Sequence, residues 1–181
     1  MAKVIRAKAN QEMVIEMLKK YSSYDKISQK DRTTLRQELL KTTDNLCPFS
    51  GGYAGMYFTV EHFKPKGDDK HKYLQLEWKN LFPCLACCNR RTTFDNNNPP
   101  YNPEEVDYVD VISFNSITNS FEPKLKNDKQ AQETIRKYVL TNDNQDLVAN
   151  ITFHLEARQE GRYTKGDKYP FYEYIESLFN N

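Results

Sequence analysis

The stretch from Met56 to Arg91 constrains this chain more than any other. Met56-Tyr57-Phe58-Thr59-Val60-Glu61-His62 alternates and is rich in aromatic and β-branched residues, which predicts a strand. That strand ends on an acid–histidine pair. Pro65 then predicts an irregular exit, and a polar loop runs from Lys64 to Lys72. Trp78 to Pro83 leads into Leu85-Ala86-Cys87-Cys88-Asn89-Arg90-Arg91, a segment able to start a helix. Strand, loop and helix in this order bring Glu61, His62 and Asn89 together if the helix lies across the hairpin.

The flanks read differently. Met13, Val14, Met17, Leu18 and Tyr21 recur at helical spacing, and Ser28 or Asp31 can cap a second helix carrying Leu35, Leu39 and Leu40 inward. Asp95 to Pro103 is too rich in Asn and Pro for regular structure. Val109–Phe114 and Ser120–Glu122 predict a short hairpin turning near Thr118-Asn119. Asp128 can cap a helix with Ala131, Ile135, Tyr138 and Val139 inward, and Asp143 another with Leu147, Val148, Ile151 and Leu155. A last helix carries Phe171, Tyr174, Ile175 and Leu178. Single apolar stripes on these helices argue for packing onto the central β unit. The expectation is an α+β fold in one globular domain: helices over 1–44, a β-containing core over 45–95, and a hairpin with helices over 96–181.

A length of 181 residues suits such a domain, with a core rich in rings, given 12 Tyr and 10 Phe. The net charge of +1 says nothing about a polyanionic partner. The local distribution does: Lys64, Lys66, Lys70, Lys72, Lys79, Arg90 and Arg91 crowd the central third, although Asp68, Asp69 and Glu77 lie among them. No apolar run reaches the roughly 18 residues of a membrane span, and the charged start lacks the apolar region of a secretion signal. Cys84, Cys87 and Cys88 fall within five positions, with Cys47 upstream. That clustering suits a metal knuckle in a reducing cytoplasm better than disulfides.

Hydrolysis of a phosphodiester needs a base for water, a positive neighbour for the oxygens that gain charge, and a clamp on the backbone. Imidazole titrates near neutrality, so His62 is the candidate base. Regular strand geometry would put Glu61 and His62 on opposite faces; a bend at the strand end would turn both into one cleft. Mg²⁺ takes few protein oxygens and keeps its waters, so the Glu61 carboxylate and the Asn89 amide oxygen would make a minimal site, as they would for Mn²⁺. Asn80 could hold the loop and fix the His62 ring. Lys64, Lys66, Arg90 and Arg91 are candidate phosphate contacts. His71 reads as solvated and His154 as a boundary histidine.

Taken together, these residues resemble the HNH endonuclease family, whose core is a β-hairpin and helix around one metal ion (a ββα-metal unit). The match is closest to the Septu-type and retron-associated effectors found with phage-defence ATPases, often called PtuB-like. Cys47-Pro48-Phe49-Ser50, Glu61-His62-Phe63-Lys64-Pro65-Lys66, Trp78-Lys79-Asn80-Leu81 and Cys88-Asn89 stand where that branch carries its motifs. The resemblance covers residues 45–95. It implies His62 as base, Glu61 and Asn89 as ligands of the catalytic ion, Asn80 as the loop-orienting residue, a nucleic-acid substrate (DNA ahead of RNA) and an ATPase subunit as partner.

This sequence departs from the family at its zinc knuckle. The aligned positions are Cys47, Ser50, Leu85 and Cys88, and neither serine nor leucine serves zinc well. Cys84-Leu85-Ala86-Cys87 offers a second pair shifted by one residue. A structural Zn²⁺ could use Cys47, Cys84, Cys87 and Cys88; otherwise the hairpin is held by Phe49, Phe58, Phe82 and Trp78. Two further readings stay open: an HNH-shaped domain without chemistry that binds nucleic acid or a partner, and a small zinc-knuckle interaction protein.

Overall fold

The computed structural model describes residues 4, 8–55, 58–90, 95–164 and 169–179. Among them lie six helices and two small antiparallel sheets, an α+β arrangement.

Helix α1 spans Lys8–Leu18 and α2 spans Gln29–Lys41. The Ser28 side chain caps α2 by accepting from the Asp31 amide. Val14, Met17 and Leu18 of α1 meet Leu35 and Leu39 of α2 in one cluster. Met13, expected among them, is 48% exposed, because it falls beside the buried stripe rather than on it. Leu40 is only partly buried for the same reason.

Strand β1, Phe58–His62, pairs antiparallel with β2, Leu81–Leu85, in the register Glu61↔Phe82 and His62↔Leu81. Residues 56–57, the expected start of β1, lie outside the described residues. Pro83 sits in β2 without disrupting it, because each strand of a two-stranded sheet has a free edge. The helix expected from Leu85 does not begin within residues 85–90. Leu85 instead closes the strand, and its carbonyl accepts the Cys88 and Asn89 amides in a tight turn.

Helix α3 is one turn, Tyr108–Val111, where the hairpin was expected to start. Strands β3, Ile112–Asn115, and β4, Ser120–Pro123, then pair across a turn at Asn119, whose φ is 50°. Helix α4, Lys129–Lys137, is capped by Asp128. Helix α5, Gln145–Gln159, is capped by Asn144 rather than Asp143, since the Asn144 oxygen accepts the Leu147 amide. Helix α6 spans Tyr172–Phe179.

The β1–β2 hairpin separates two apolar clusters. Val60 and Leu81 face the α1–α2 cluster. Phe82 and Cys84 face a larger, ring-rich cluster with Phe49, Tyr108, Phe121, Tyr138 and Tyr174. Phe49 stacks on Tyr138 with centroids 3.8 Å apart. The turn after Cys47 is sealed by the C-terminal segment: the Phe171 amide donates to Gly51 O at 2.9 Å. A Cβ on Gly52 would stand 2.7 Å from the Phe171 ring and 2.6 Å from Leu85 Cδ1, so a larger residue there would have to displace those side chains.

Candidate functional site

β1 stays regular through His62, so Glu61 and His62 leave it on opposite faces. The bend that would have turned both into one cleft does not form. The motif's two reactive groups therefore sit in two environments, one on each side of the hairpin.

On the first side His62 is 7% exposed. Its ring meets Tyr24 edge-on at 4.7 Å, and Nε2 lies 3.1 Å from the Gln75 carbonyl oxygen. A carbonyl can only accept, so Nε2 carries the proton and Nδ1 keeps a lone pair. Burial lowers the pKa to about 4; Lys66 pushes the same way, while the Gln75 carbonyl and Asp25 oppose it. The ring is thus neutral at neutral pH.

Asn80 supports this arrangement from behind. Its Oδ1 accepts the Lys64 amide at 2.7 Å. Its Nδ2 donates to Lys64 O at 3.0 Å and to Leu74 O at 3.1 Å. The Phe63 amide closes onto Asn80 O at 2.9 Å. One buried amide therefore pins both ends of the loop and fixes Leu74 beside Gln75, whose carbonyl holds His62. The Gln75 side chain also accepts the Tyr24 amide at 3.2 Å. Gln75 thus holds both the imidazole and the ring packed against it.

On the other side, Thr59 and Glu61 share a face with Cys84 and Phe82 across the ladder. Glu61 is buried, and its Oε1 accepts from Lys137 Nζ at 2.7 Å. Burial pushes the Glu61 carboxyl up, and Lys137 offsets part of that shift. Asn89 Nδ2 donates to Thr59 Oγ1 at 2.9 Å, and that hydroxyl donates to Cys84 O at 3.2 Å. Asn89 and Glu61 are therefore on one side of the hairpin, one side-chain step apart along β1, with His62 on the other.

Cys47, Cys84 and Cys88 are fully buried, whereas Cys87 is partly exposed. Burial pushes the Cys47 thiol up. Hydrogen bonds from Cys84, Cys88, Ser50 and the Leu85 backbone outweigh it and hold Cys47 well below the usual thiol range. Cys87 Sγ lies 3.8 Å from Cys88 Sγ. The convergent trio is thus Cys47, Cys84 and Cys88, with Ser50 beside it and Cys87 at its margin. This donor chemistry suits zinc. Among the described residues, however, no group of three or more His, Cys, Asp or Glu side chains is spaced to hold a metal ion.

The candidate phosphate contacts are divided. Lys64 is exposed. Lys66 Nζ pairs with Asp25 Oδ1 at 2.6 Å on the His62 side. Arg90 pairs with Asp146 of α5 at 2.6 Å on the other. Arg91 lies outside the described residues. His71 meets the Asn96 side chain at 3.1 Å, and His154 meets Tyr163 OH at 2.9 Å, so neither joins the site.

Lys137, Gln75 and Tyr24 could not be picked out from motif spacing. Gln75 acts chiefly through its backbone, which leaves no residue-type signal. Lys137 did carry one: it lies on the same helical stripe as Ala131 and Thr134, both fully buried, where a lysine demands a buried acid. No helix among the described residues is long and apolar enough to cross a membrane. Compared with known proteins, the sequence matches no family model and no curated sequence.

Proposed function

We propose that this chain is a metal-dependent endonuclease of the HNH type that hydrolyses phosphodiester bonds in nucleic acid. The observation that carries the reading is the state of His62: a neutral imidazole with Nε2 committed to a backbone carbonyl and Nδ1 left as a lone pair. That is the state a general base needs before it takes a proton from water. Asn80 makes the state rigid by pinning the loop that supplies the carbonyl.

His62 takes the proton, exposed Lys64 and, on the His62 side, Lys66 meet the phosphate backbone, and Asn80 holds the geometry. Glu61 and Asn89 would hold a divalent ion, Mg²⁺ or Mn²⁺, on the opposite side of the hairpin from His62, so base and ion reach one phosphodiester only when the end of β1 bends. Such an ion supplies positive charge where the phosphate oxygens gain electrons. A structural Zn²⁺ on Cys47, Cys84, Cys87 and Cys88 belongs to the same proposal and is tested by elemental analysis of the purified protein. The partner ATPase and a role in defence against phage rest on the motif resemblance alone.

One observation favours the second reading, a catalytically silent HNH-shaped binding module: Glu61 is engaged by Lys137 and faces away from His62. Incubation of supercoiled plasmid and of single-stranded RNA with Mg²⁺ or Mn²⁺ separates the two. Nicking by the wild type and none by His62→Ala supports the nuclease. Equal outcomes for both proteins reject His62 as the base.

A further inference from the structure

Lys137 is the last residue of α4, and its ammonium is buried against Glu61 at 2.7 Å. A buried carboxylate of a candidate metal site thus already has a cation. The turn that delivers Lys137 is not relaxed. Val139, two residues on, has a φ of 50°, a left-handed conformation that β-branched side chains disfavour strongly. Tyr138 between them is fully buried, and its hydroxyl has no hydrogen-bond partner. Backbone bonds close the turn, with the Leu140 amide on Ile135 O at 3.0 Å and the Val139 amide on Arg136 O at 3.4 Å, and Asn144 Nδ2 adds a side-chain bond to Val139 O at 3.0 Å. The same amide group donates to Cys87 O at 3.0 Å, two residues before Asn89. Asn144 therefore ties the end of α4 to the turn that carries the other candidate oxygen donor.

We propose that Lys137 is a built-in cation that competes with a divalent metal ion for the Glu61 carboxylate, so that the metal centre forms only when the strained last turn of α4 withdraws the ammonium. The inference rests on the metal-dependent reading above and adds its control element. An ammonium 2.7 Å from Oε1 repels a divalent ion brought to the same buried carboxylate, so the two cations compete for it. A site mostly in the lysine-filled state binds metal with an affinity reduced by the fraction that is open. Strain at Val139 and the unsatisfied Tyr138 hydroxyl lower the cost of opening.

The test is Mn²⁺ binding, followed by electron paramagnetic resonance on the full chain without nucleic acid. Lys137→Met is expected to bind Mn²⁺ at least about tenfold more tightly than the wild type, because the competing charge is gone. Adding Glu61→Gln to that variant abolishes the gain. Unchanged or weaker binding by a folded Lys137→Met overturns the proposal. The wild type gives a second arm that needs no variant to fold. Acetylation by a water-soluble active ester, mapped by mass spectrometry, is expected to spare Lys137 without metal and to modify it at saturating Mn²⁺, with exposed Lys126 as the internal reference. Lys137 equally protected with Mn²⁺ bound, or no Mn²⁺ binding by any variant, also overturns it. Failure of the nuclease reading looks different: metal affinity then follows Lys137 as described while plasmid and RNA stay intact.

Discussion

Lys137 Nζ and Glu61 Oε1 meet at 2.7 Å across 76 residues of chain, with both side chains buried. Removing one partner of such a pair strands the other charge in the interior. Lys137→Met is therefore expected to lower stability by about 3–5 kcal/mol in metal-free urea unfolding. The double variant Lys137→Met/Glu61→Leu should recover most of that loss, because no uncompensated charge remains. A double variant as unstable as the single one would show that the ion pair is not the source of the effect.

His62 gives the stability a defined pH dependence. Its folded pKa, about 4, lies below the ordinary value of 6.5. Between these values the unfolded chain binds the extra proton and the folded one does not, so stability rises with pH. The contribution is complete above about pH 6.5 and is lost as pH falls toward 4, a total on the order of 3 kcal/mol. Half-buried His154, lowered by burial, acts in the same direction. Urea midpoints from pH 4 to 8 check this: His62→Gln should flatten most of the slope, and an unchanged slope would assign it elsewhere.

On the proposed nuclease reading His62→Ala removes the general base, a loss that typically costs two to four orders of magnitude, so plasmid cleavage should fall by about 10²–10⁴-fold with circular dichroism unchanged. Tyr24→Leu acts on the same ring from outside. It opens the imidazole to water, so the His62 pKa should climb from about 4 toward 6.5. NMR titration reads this directly, with only three histidines to assign.

Asn80 makes three side-chain hydrogen bonds to backbone. Asn80→Ala leaves those groups without their partner, at roughly 1–3 kcal/mol for each one that stays buried. Cleavage should fall with it, since the Gln75 carbonyl loses its support. Asn80→Asp keeps the acceptor for the Lys64 amide but places carboxylate oxygen against two carbonyls, so it should be no better than alanine. Thermal melts and plasmid assays on the two variants decide the point.

The thiols offer a check that requires no activity. Cys87 alone is partly exposed, and Cys47, Cys84 and Cys88 are buried. A native thiol titration should show one fast group, mapped to Cys87, and three more after unfolding. Fast labelling of Cys47 would contradict the buried cluster.

Local chemistry was readable from sequence where neighbours in the chain decide it. Ser28 and Asp128 cap the helices they precede, and alternation over β1 set which residues face which side. It was not readable where a distant partner decides. Pro83 and Leu85 join a strand because β1 lies alongside, which overrides the helical reading of the segment after Pro83. Asn144 displaces Asp143 as the α5 cap while also bonding the Val139 and Cys87 carbonyls, a role no spacing rule contains. The site follows the same division. Glu61, His62, Asn80 and Asn89 stand out as residue types, but their separation into two environments depends on strand regularity and on Lys137.

The contact of Phe171 with Gly51 and Gly52 also bears on the order of events at the ribosome. Synthesis proceeds from the N-terminus, and early segments begin to fold before later ones appear. The hairpin can pair as soon as Leu85 emerges, but the glycine turn beside it stays uncovered until residue 171 has been translated. A nascent chain stalled before that point lacks the Phe171 cover on this turn, so packing of the turn waits on translation of the C-terminal segment.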